Sequence, residues 1–258
     1  MNQSTRIVEV FDKDSWKIDQ SLSDYFSFYY QPQYCLSTCR LKGFESLLRL
    51  NHPQLGVLSP NVFLNKVDNQ SGWARLWPVL LKQISKDKSL LPIGAKLAVN
   101  VSPARIEDGT FISIFGEAIK QGLFYGHHIE VEITEGSMIH DFECVIDIIE
   151  MLGSLGVDVV LDDFGSGFCG LNYLEKLNVQ GIKIDRLLVQ NIHTSELRQT
   201  IVKSVVEIAK VKECFVLAEG IETKNEMTAV RDLGCHYGQG YYLGRPAANP
   251  NLIHNVKF

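Results

Sequence analysis

Short apolar runs alternate along the chain with longer segments in which apolar positions recur every three or four residues. The runs predict strands at Phe26 to Tyr34, Arg40 to Leu50, Lys96 to Val101, His128 to Thr134, Val157 to Leu161, Gly181 to Ile184, Cys214 to Ala218 and Tyr237 to Leu243. The periodic segments predict surface helices at Trp73 to Lys86, Phe111 to Gln121, Phe142 to Leu155, Leu171 to Leu177, Leu197 to Val211 and Glu226 to Leu233. Gly122, Gly156 and Gly234 follow three of these helices, where a left-handed C-cap is expected. Val157-Asp158-Val159-Val160-Leu161 is apolar almost throughout, which suits a parallel strand covered on both faces.

About eight strands alternating with helices predict an α/β fold, a modified (β/α)8 TIM-like barrel, with a doubly wound sheet as the alternative. The first two strands are separated by only a few residues around Ser37-Thr38, too few for a parallel crossover. They should pair as a hairpin, leaving one antiparallel strand near the start of the barrel. Residues 1–20 read as a polar lead segment and residues 21–258 as one folded domain. The lead is too short for a sensory domain, so the expectation is a stand-alone protein or a piece of a longer one.

Polar residues cluster at the C-terminal ends of the predicted strands. Asn100 closes one strand, Glu132 and Glu135 the next, then Asp162-Asp163, then Lys183 and Asp185. Glu219 and Glu222 follow the seventh, and Gln239 lies in the last. In a barrel these ends converge on one mouth, where such folds carry their chemistry. Converging carboxylates would repel one another unless divalent cations allowed all of them to ionise. Oxygen ligands with one amide favour Mg²⁺ or Mn²⁺, and two adjacent aspartates offer a bridge for a metal pair suited to phosphoester hydrolysis. Lys183 could hold or deprotonate an attacking water, or offset charge developing on a phosphate. Any one of these acids taken alone would more often be a helix cap or a solvated loop residue. The weight rests on their joint placement.

The chain has 258 residues, 45% hydrophobic, with 25 Lys+Arg against 30 Asp+Glu for a formal charge of −5. A general nucleic-acid binder would need a basic tract, which the sequence lacks. No apolar stretch approaches the roughly 18 residues of a membrane span, so a soluble cytoplasmic protein is the default expectation. The cysteines at 35, 39, 144, 169, 214 and 235 form no C-x-x-C pair and read as reduced, mostly buried thiols.

Two motifs mislead. Gly165-Ser166-Gly167-Phe168-Cys169-Gly170 fits the dinucleotide fingerprint, with Asp185 downstream, but Asp162 and Asp163 stand where a pyrophosphate would approach. Asp163-Phe164-Gly165 spells the kinase metal triplet without the other kinase motifs.

The sequence resembles EAL domains, which hydrolyse the bacterial messenger cyclic di-GMP. Glu45-Ser46-Leu47-Leu48-Arg49 stands in the place of the Glu-Ala-Leu-Leu-Arg motif that names the family. Gln31-Pro32, Asn100-Val101-Ser102, Glu132-Ile133-Thr134-Glu135, Asp162-Asp163-Phe164-Gly165-Ser166-Gly167, Lys183-Ile184-Asp185-Arg186, Glu219-Gly220-Ile221-Glu222-Thr223 and Gly238-Gln239-Gly240-Tyr241-Tyr242 are similar to its other motifs, in family order. The resemblance implies a TIM-like barrel holding two divalent cations, Mg²⁺ or Mn²⁺. By motif, their ligands would be Glu45, Asn100, Glu132, Asp162, Asp163 and Glu219, with Asp162 bridging. Lys183 would contact the nucleophilic water, and Glu222 and Gln239 would orient metal-bound water or neighbouring ligands. Glu135 would hold the loop after Asp163. Arg49 would meet a phosphate or guanine, and Gln31, Asp185 and Gln239 would join it on the substrate side. The implied reaction is in-line attack of metal-bound hydroxide on one phosphodiester of cyclic di-GMP, giving 5′-pGpG. The identity of the general base stays open. A homodimer is the assembly the resemblance implies, with no nucleic-acid polymer and no membrane as partner.

Ser46 replaces the motif alanine, a small-for-small change. The loop Ser166-Gly167-Phe168-Cys169-Gly170 departs from the family's usual Thr-Gly-Tyr pattern, and Gln180 replaces a frequent aspartate. Some EAL domains have lost ligands and act as cyclic di-GMP receptors or protein-binding modules. The complete acid set here favours turnover over that alternative. An enolase-type Mg²⁺ lyase or isomerase is a third possibility, outside the family.

Overall fold

The computed structural model describes residues 25–52, 54–67, 70–134, 139–166 and 171–249. The expected 1–20 lead segment, Glu135 and Gly167 to Gly170 lie outside the described residues. The chain enters as an antiparallel hairpin of β1 (Phe26–Cys35) and β2 (Leu41–His52), as the short connection at Ser37-Thr38 requires. The end of β2 pairs with β3 (Gly56–Leu58), a short strand that the hydrophobic pattern did not mark. Helices α1 (Pro60–Val67) and α2 (Gln70–Lys88) then lead to β4 (Lys96–Val101). After it come α3 (Pro103–Glu107), α4 (Thr110–Lys120) and β5 (Ile129–Thr134). Next are α5 (Phe142–Ser154), β6 (Asp158–Phe164), α6 (Leu171–Lys176), β7 (Gly181–Ile184) and α7 (Arg186–Val189). The last are α8 (Glu196–Val211), β8 (Phe215–Ala218), α9 (Lys224–Asp232) and β9 (Tyr237–Gly238).

The strands run β1-β9-β8-β7-β6-β5-β4-β2, and pairing of β2 with β1 closes them into a barrel of eight. β1 is antiparallel to both its neighbours, and every other adjacent pair in the ring is parallel. This is the expected modified (β/α)8 architecture. Alternation along each strand sorts residues to two faces. Val131 and Ile133 of β5, Val159 and Leu161 of β6, and Ile182 and Ile184 of β7 join the core beneath the helices. α5 meets that core with Val145, Ile148, Ile149 and Leu152, all buried, at helical spacing. Each such side chain contributes about 1.5–3 kcal/mol by leaving water.

The opposite strand face points into the barrel. There Ala98, Val160 and Leu217 are buried apart from the main core. At the N-terminal side of this apolar layer, Lys42 Nζ lies 2.7 Å from both Glu130 carboxylate oxygens, and Glu130 is 1% exposed. This ion pair lies toward the end of the barrel opposite the acid-bearing strand tips.

Gly122, Gly156 and Gly234 adopt φ of 72°, 77° and 99°, as their C-cap placement predicts. The last predicted strand is cut short, because β9 ends at Gly238 and the chain turns where Leu243 and Gly244 N–H groups donate to Gly240 O. A Cβ on Gly240 would fall 2.2 Å from the backbone of Ile221, so only glycine permits this approach. α1, α3 and α7 were not predicted: at 8, 5 and 4 residues they are too short to show a helical period. Among the described residues, no helix is long and apolar enough to cross a membrane.

Candidate active site

Inward residues toward the C-terminal side of the strands line one cleft of about 340 Å³ or, as Glu132 and Lys183, lie fully buried beside those that do. β2 supplies Glu45, β4 Asn100, β5 Glu132, β6 Asp162 and Asp163, and β7 Lys183, with Glu219 just past β8. Parallel register places Asn100 beside Glu132 and Thr134 beside Asp162. Consecutive residues on a regular strand face opposite ways, so Asp162 and Asp163 should not share a cleft. They do because the pairing of β6 with β7 slips between Leu161 and Phe164, setting two residues against Lys183, while Asp163 takes a left-handed φ of 57°. The Asp163 N–H donates to Asp162 Oδ1 at 2.9 Å, which holds this bulge. Left-handed backbone is uncommon outside glycine and most tolerable for Asn and Asp.

Lys183 is fully buried at the centre. Its Nζ lies 2.8 Å from Glu219, 2.9 Å from Glu132, 3.0 Å from Asp162 and 3.9 Å from Glu45. Burial works against the charged ammonium, but Asp162, Glu132, Glu219 and Glu45 outweigh it and hold the lysine well above its ordinary pKa. Burial pushes Glu132, Asp162 and Glu219 up despite the lysine. Burial, then Asp162, raises Asp163 to about 6.

Side-chain amides tether Glu45. Glu45 accepts from Asn100 Nδ2 at 2.8 Å on one oxygen and from Gln239 Nε2 on the other. Gln239 Nε2 also donates to Gln31 Oε1 at 3.1 Å, and Gln33 Nε2 donates to Gln239 Oε1 at 3.0 Å. Gln31 faces Glu45 across the β1–β2 ladder.

Ligand geometry suits cations. Oxygens of Glu45, Glu132 and Asp162 lie within 4.8 Å of one another, and so do those of Asp162, Asp163 and Glu219. Asp162 belongs to both groups. Five carboxylates against one ammonium leave a formal excess of four negative charges, which two divalent cations would balance. Glu132 is 0% exposed, yet neither of its oxygens accepts a well-aligned hydrogen bond among the described residues. The Lys183 ammonium lies 2.9 Å from Oε1, and a buried carboxylate left with a further idle acceptor is costly unless another cation meets it. The donor set, all carboxylate with one amide, fits Mg²⁺ or Mn²⁺.

The remaining predicted residues lie further out. Glu222 lines the cleft and pairs with Arg186 at 2.8 Å. Arg49, four residues along the strand face of Glu45, donates to Leu48 O at 2.8 Å and lies over the Tyr29 ring at 5.3 Å. Asp185 caps α7 by accepting the Leu187 N–H at 2.8 Å. Glu135 lies outside the described residues. Thr134, Arg186 and Tyr241 also line the cleft but were not singled out from the sequence. Thr134 could have been found, since it lies two residues beyond Glu132 on the same strand face. Gln33 could have been found likewise from Gln31.

Comparison with known proteins agrees with this geometry. The EAL domain profile matches residues 17–246, and the chain belongs to the EAL domain family. It is 30% identical over 232 residues to the probable cyclic di-GMP phosphodiesterase PdeN of Escherichia coli K12, covering 88% of this chain and 45% of that protein. Against the cyclic di-GMP phosphodiesterase PA2567 of Pseudomonas aeruginosa it is 32% identical over 227 residues, covering 86% and 38%. The chain thus spans less than half the length of these curated relatives. Its fold superposes on the EAL enzyme Bd1971 with cAMP and cyclic di-GMP bound at a TM-score of 0.83, with 27% identity, covering 98% of this chain and 68% of that one. The cyclic di-GMP complex of the PaMucR phosphodiesterase gives 0.82 with 25% identity, covering 96% and all of that chain.

Proposed function

We propose that this domain hydrolyses one phosphodiester of cyclic di-GMP to give linear 5′-pGpG, using two divalent cations, Mg²⁺ or Mn²⁺. The observation that carries this reading is the pair of carboxylate triads sharing Asp162 around a buried Lys183 in one open cleft. The relatives named for this activity support the substrate.

Glu45, Asn100, Glu132 and Asp162 would hold one cation, and Asp162, Asp163 and Glu219 the other. When bound, such a pair activates water and offsets charge on a phosphodiester at neutral pH. The protein's own groups do the rest. Lys183, held by four carboxylates that favour its charged form, would place a positive charge beside the cleft, where it would orient the attacking water and stabilise charge building on the phosphate oxygens. Gln239 and Asn100 lock the Glu45 carboxylate, so its ligand geometry exists before substrate arrives. Gln31, Arg49, Asp185 and Gln239 are assigned to the substrate side, where the guanidinium of Arg49 matches a phosphate or a guanine edge. Glu222 would position Arg186 at the rim, and Glu135 would steady the loop after Asp163.

Purified protein with Mg²⁺ or Mn²⁺ should convert cyclic di-GMP to 5′-pGpG, resolved by chromatography, and chelator should stop it. Outer partners of metal ligands are worth about 10–100-fold, so Glu45→Ala or Glu219→Ala should lower turnover by more than about 100-fold. Tight nucleotide binding with no product from the intact protein would replace this reading with a receptor.

A further inference from the structure

Of the five described cysteines, Cys214 and Cys235 are buried, Cys35 and Cys144 half-buried and Cys39 exposed, so the expectation of mostly buried thiols fails at the hairpin turn. This turn joins β1 to β2 at the end of the barrel away from the metal cluster. Its backbone is closed twice: the Cys35 N–H donates to Arg40 O and the Cys39 N–H to Cys35 O, both at 2.8 Å. The second bond makes a single turn from residue i to i+4, whose Cα atoms lie about 6 Å apart. A disulfide spans roughly 4.4–6.8 Å between Cα atoms.

The Ser37 hydroxyl lies 3.2 Å from Cys35 Sγ. Burial raises the thiols of Cys144, Cys214 and Cys235. At Cys35 burial again pushes the thiol up, but the hydrogen bonds from Ser37 and Thr38 together outweigh it, bringing the thiol down to about 7. A thiol lowered in this way carries more thiolate at neutral pH than an ordinary cysteine. An activated sulfur and an exposed second sulfur share one surface turn.

We propose that Cys35 and Cys39 form a peroxide-responsive thiol pair, with Cys35 the attacking sulfur and Cys39 the resolving one. The Cys35 thiolate attacks hydrogen peroxide, an S–O bond forms, the O–O bond breaks and hydroxide leaves, giving a sulfenic acid. Cys39 sulfur then attacks Cys35 sulfur; the S–S bond forms, the S–O bond breaks, and the hydroxyl leaves with the thiol proton as water. Two thiols lose two electrons, and the peroxide becomes water. This pair is independent of the nucleotide chemistry proposed above.

The test uses the full reduced chain, treated with hydrogen peroxide, quenched, alkylated and digested with trypsin for mass spectrometry. The expected result is a fragment 18–40 two hydrogens lighter and unalkylated at both cysteines. In Cys39→Ser, dimedone should trap a sulfenic acid at Cys35, and Ser37→Ala should slow that labelling about tenfold. Urea should slow it to a similar degree, since the hydroxyl contacts belong to the folded turn. The proposal is overturned if both thiols alkylate as freely after peroxide as before, if the bond joins two chains, or if Cys39 in Cys35→Ser oxidises as fast as Cys35 in Cys39→Ser.

Discussion

Replacing Lys183 with methionine keeps most of the side-chain length, one atom short, removes its charge and so tests the charge balance of the acidic cluster. The ammonium is fully buried within 3.0 Å of Glu132, Asp162 and Glu219. Removing one partner of a buried ion pair costs about 3–5 kcal/mol. A second route bounds the same loss, because an orphaned carboxylate can bind a proton instead. From its ordinary value of 4.5, a glutamate protonated at pH 7 costs about 3.4 kcal/mol. The two agree, so Lys183→Met should lose about 3–5 kcal/mol at pH 7 in chelator. The folded variant then carries a proton that the unfolded chain does not, so its stability falls as pH rises and recovers as pH falls. At pH 5 that proton costs about 2.7 kcal/mol less, and most of the deficit should vanish. Mn²⁺ at neutral pH should narrow it too, by neutralising the same oxygens and binding only the folded state. Paired urea titrations of parent and variant, at pH 5 and 7, with chelator and with Mn²⁺, measure all of this. Equal stability of the two proteins in chelator at pH 7 would refute the reasoning, as would a deficit that neither acid nor Mn²⁺ reduces.

Glu226 caps α9 and accepts N–H donors from Asn191, Glu222 and Thr223 at 2.8, 2.9 and 3.0 Å. Burial raises its carboxyl, but those bonds outweigh it and depress the pKa. Its stabilisation is therefore present above the unfolded value near 4.5 and is lost as pH falls through the folded one. Glu226→Gln should cost about 1–2 kcal/mol at pH 7 and flatten the acid limb of a Tm-versus-pH profile. Gly240→Ala places a Cβ 2.2 Å from the Ile221 backbone, between the Gln239 tether and the loop bearing Glu219 and Glu222. It should cost about 1–3 kcal/mol, read by urea titration, and lower turnover by more than the lost stability explains. Tyr30 is 1% exposed and donates to Asp87, so Tyr30→Phe should destabilise by about 1–3 kcal/mol in the same titration.

The strand and helix ladder was legible because periodicity is local. β4, β5 and β7 coincide with or nearly match the apolar runs that predicted them, and the hairpin followed from the length of its turn. The acids at strand tips were legible for the same reason: once the strands are parallel, their C-terminal ends must share a mouth. Glu45 escaped that argument, since it lies mid-strand in a β2 that runs to His52, and only its motif pointed to it. Asp185 shows the opposite limit. It reads as one more strand-tip acid, but its carboxylate is engaged as the cap of α7.

The amino-acid sequence alone determined most of the strands, though not β3 or the end of β9, and which chemistry gathers at the barrel mouth, because these depend on neighbours a few positions away. Tertiary structure decided that Asp162 and Asp163 face the same way, that Asn100 and Gln239 lock Glu45 while Gln31 and Gln33 hold Gln239, and that one lysine lies among four acids. Those outcomes depend on where a bulge falls and on the register in which β1 meets both β2 and β9. Barrel closure sets that register through contacts about two hundred positions apart in the chain.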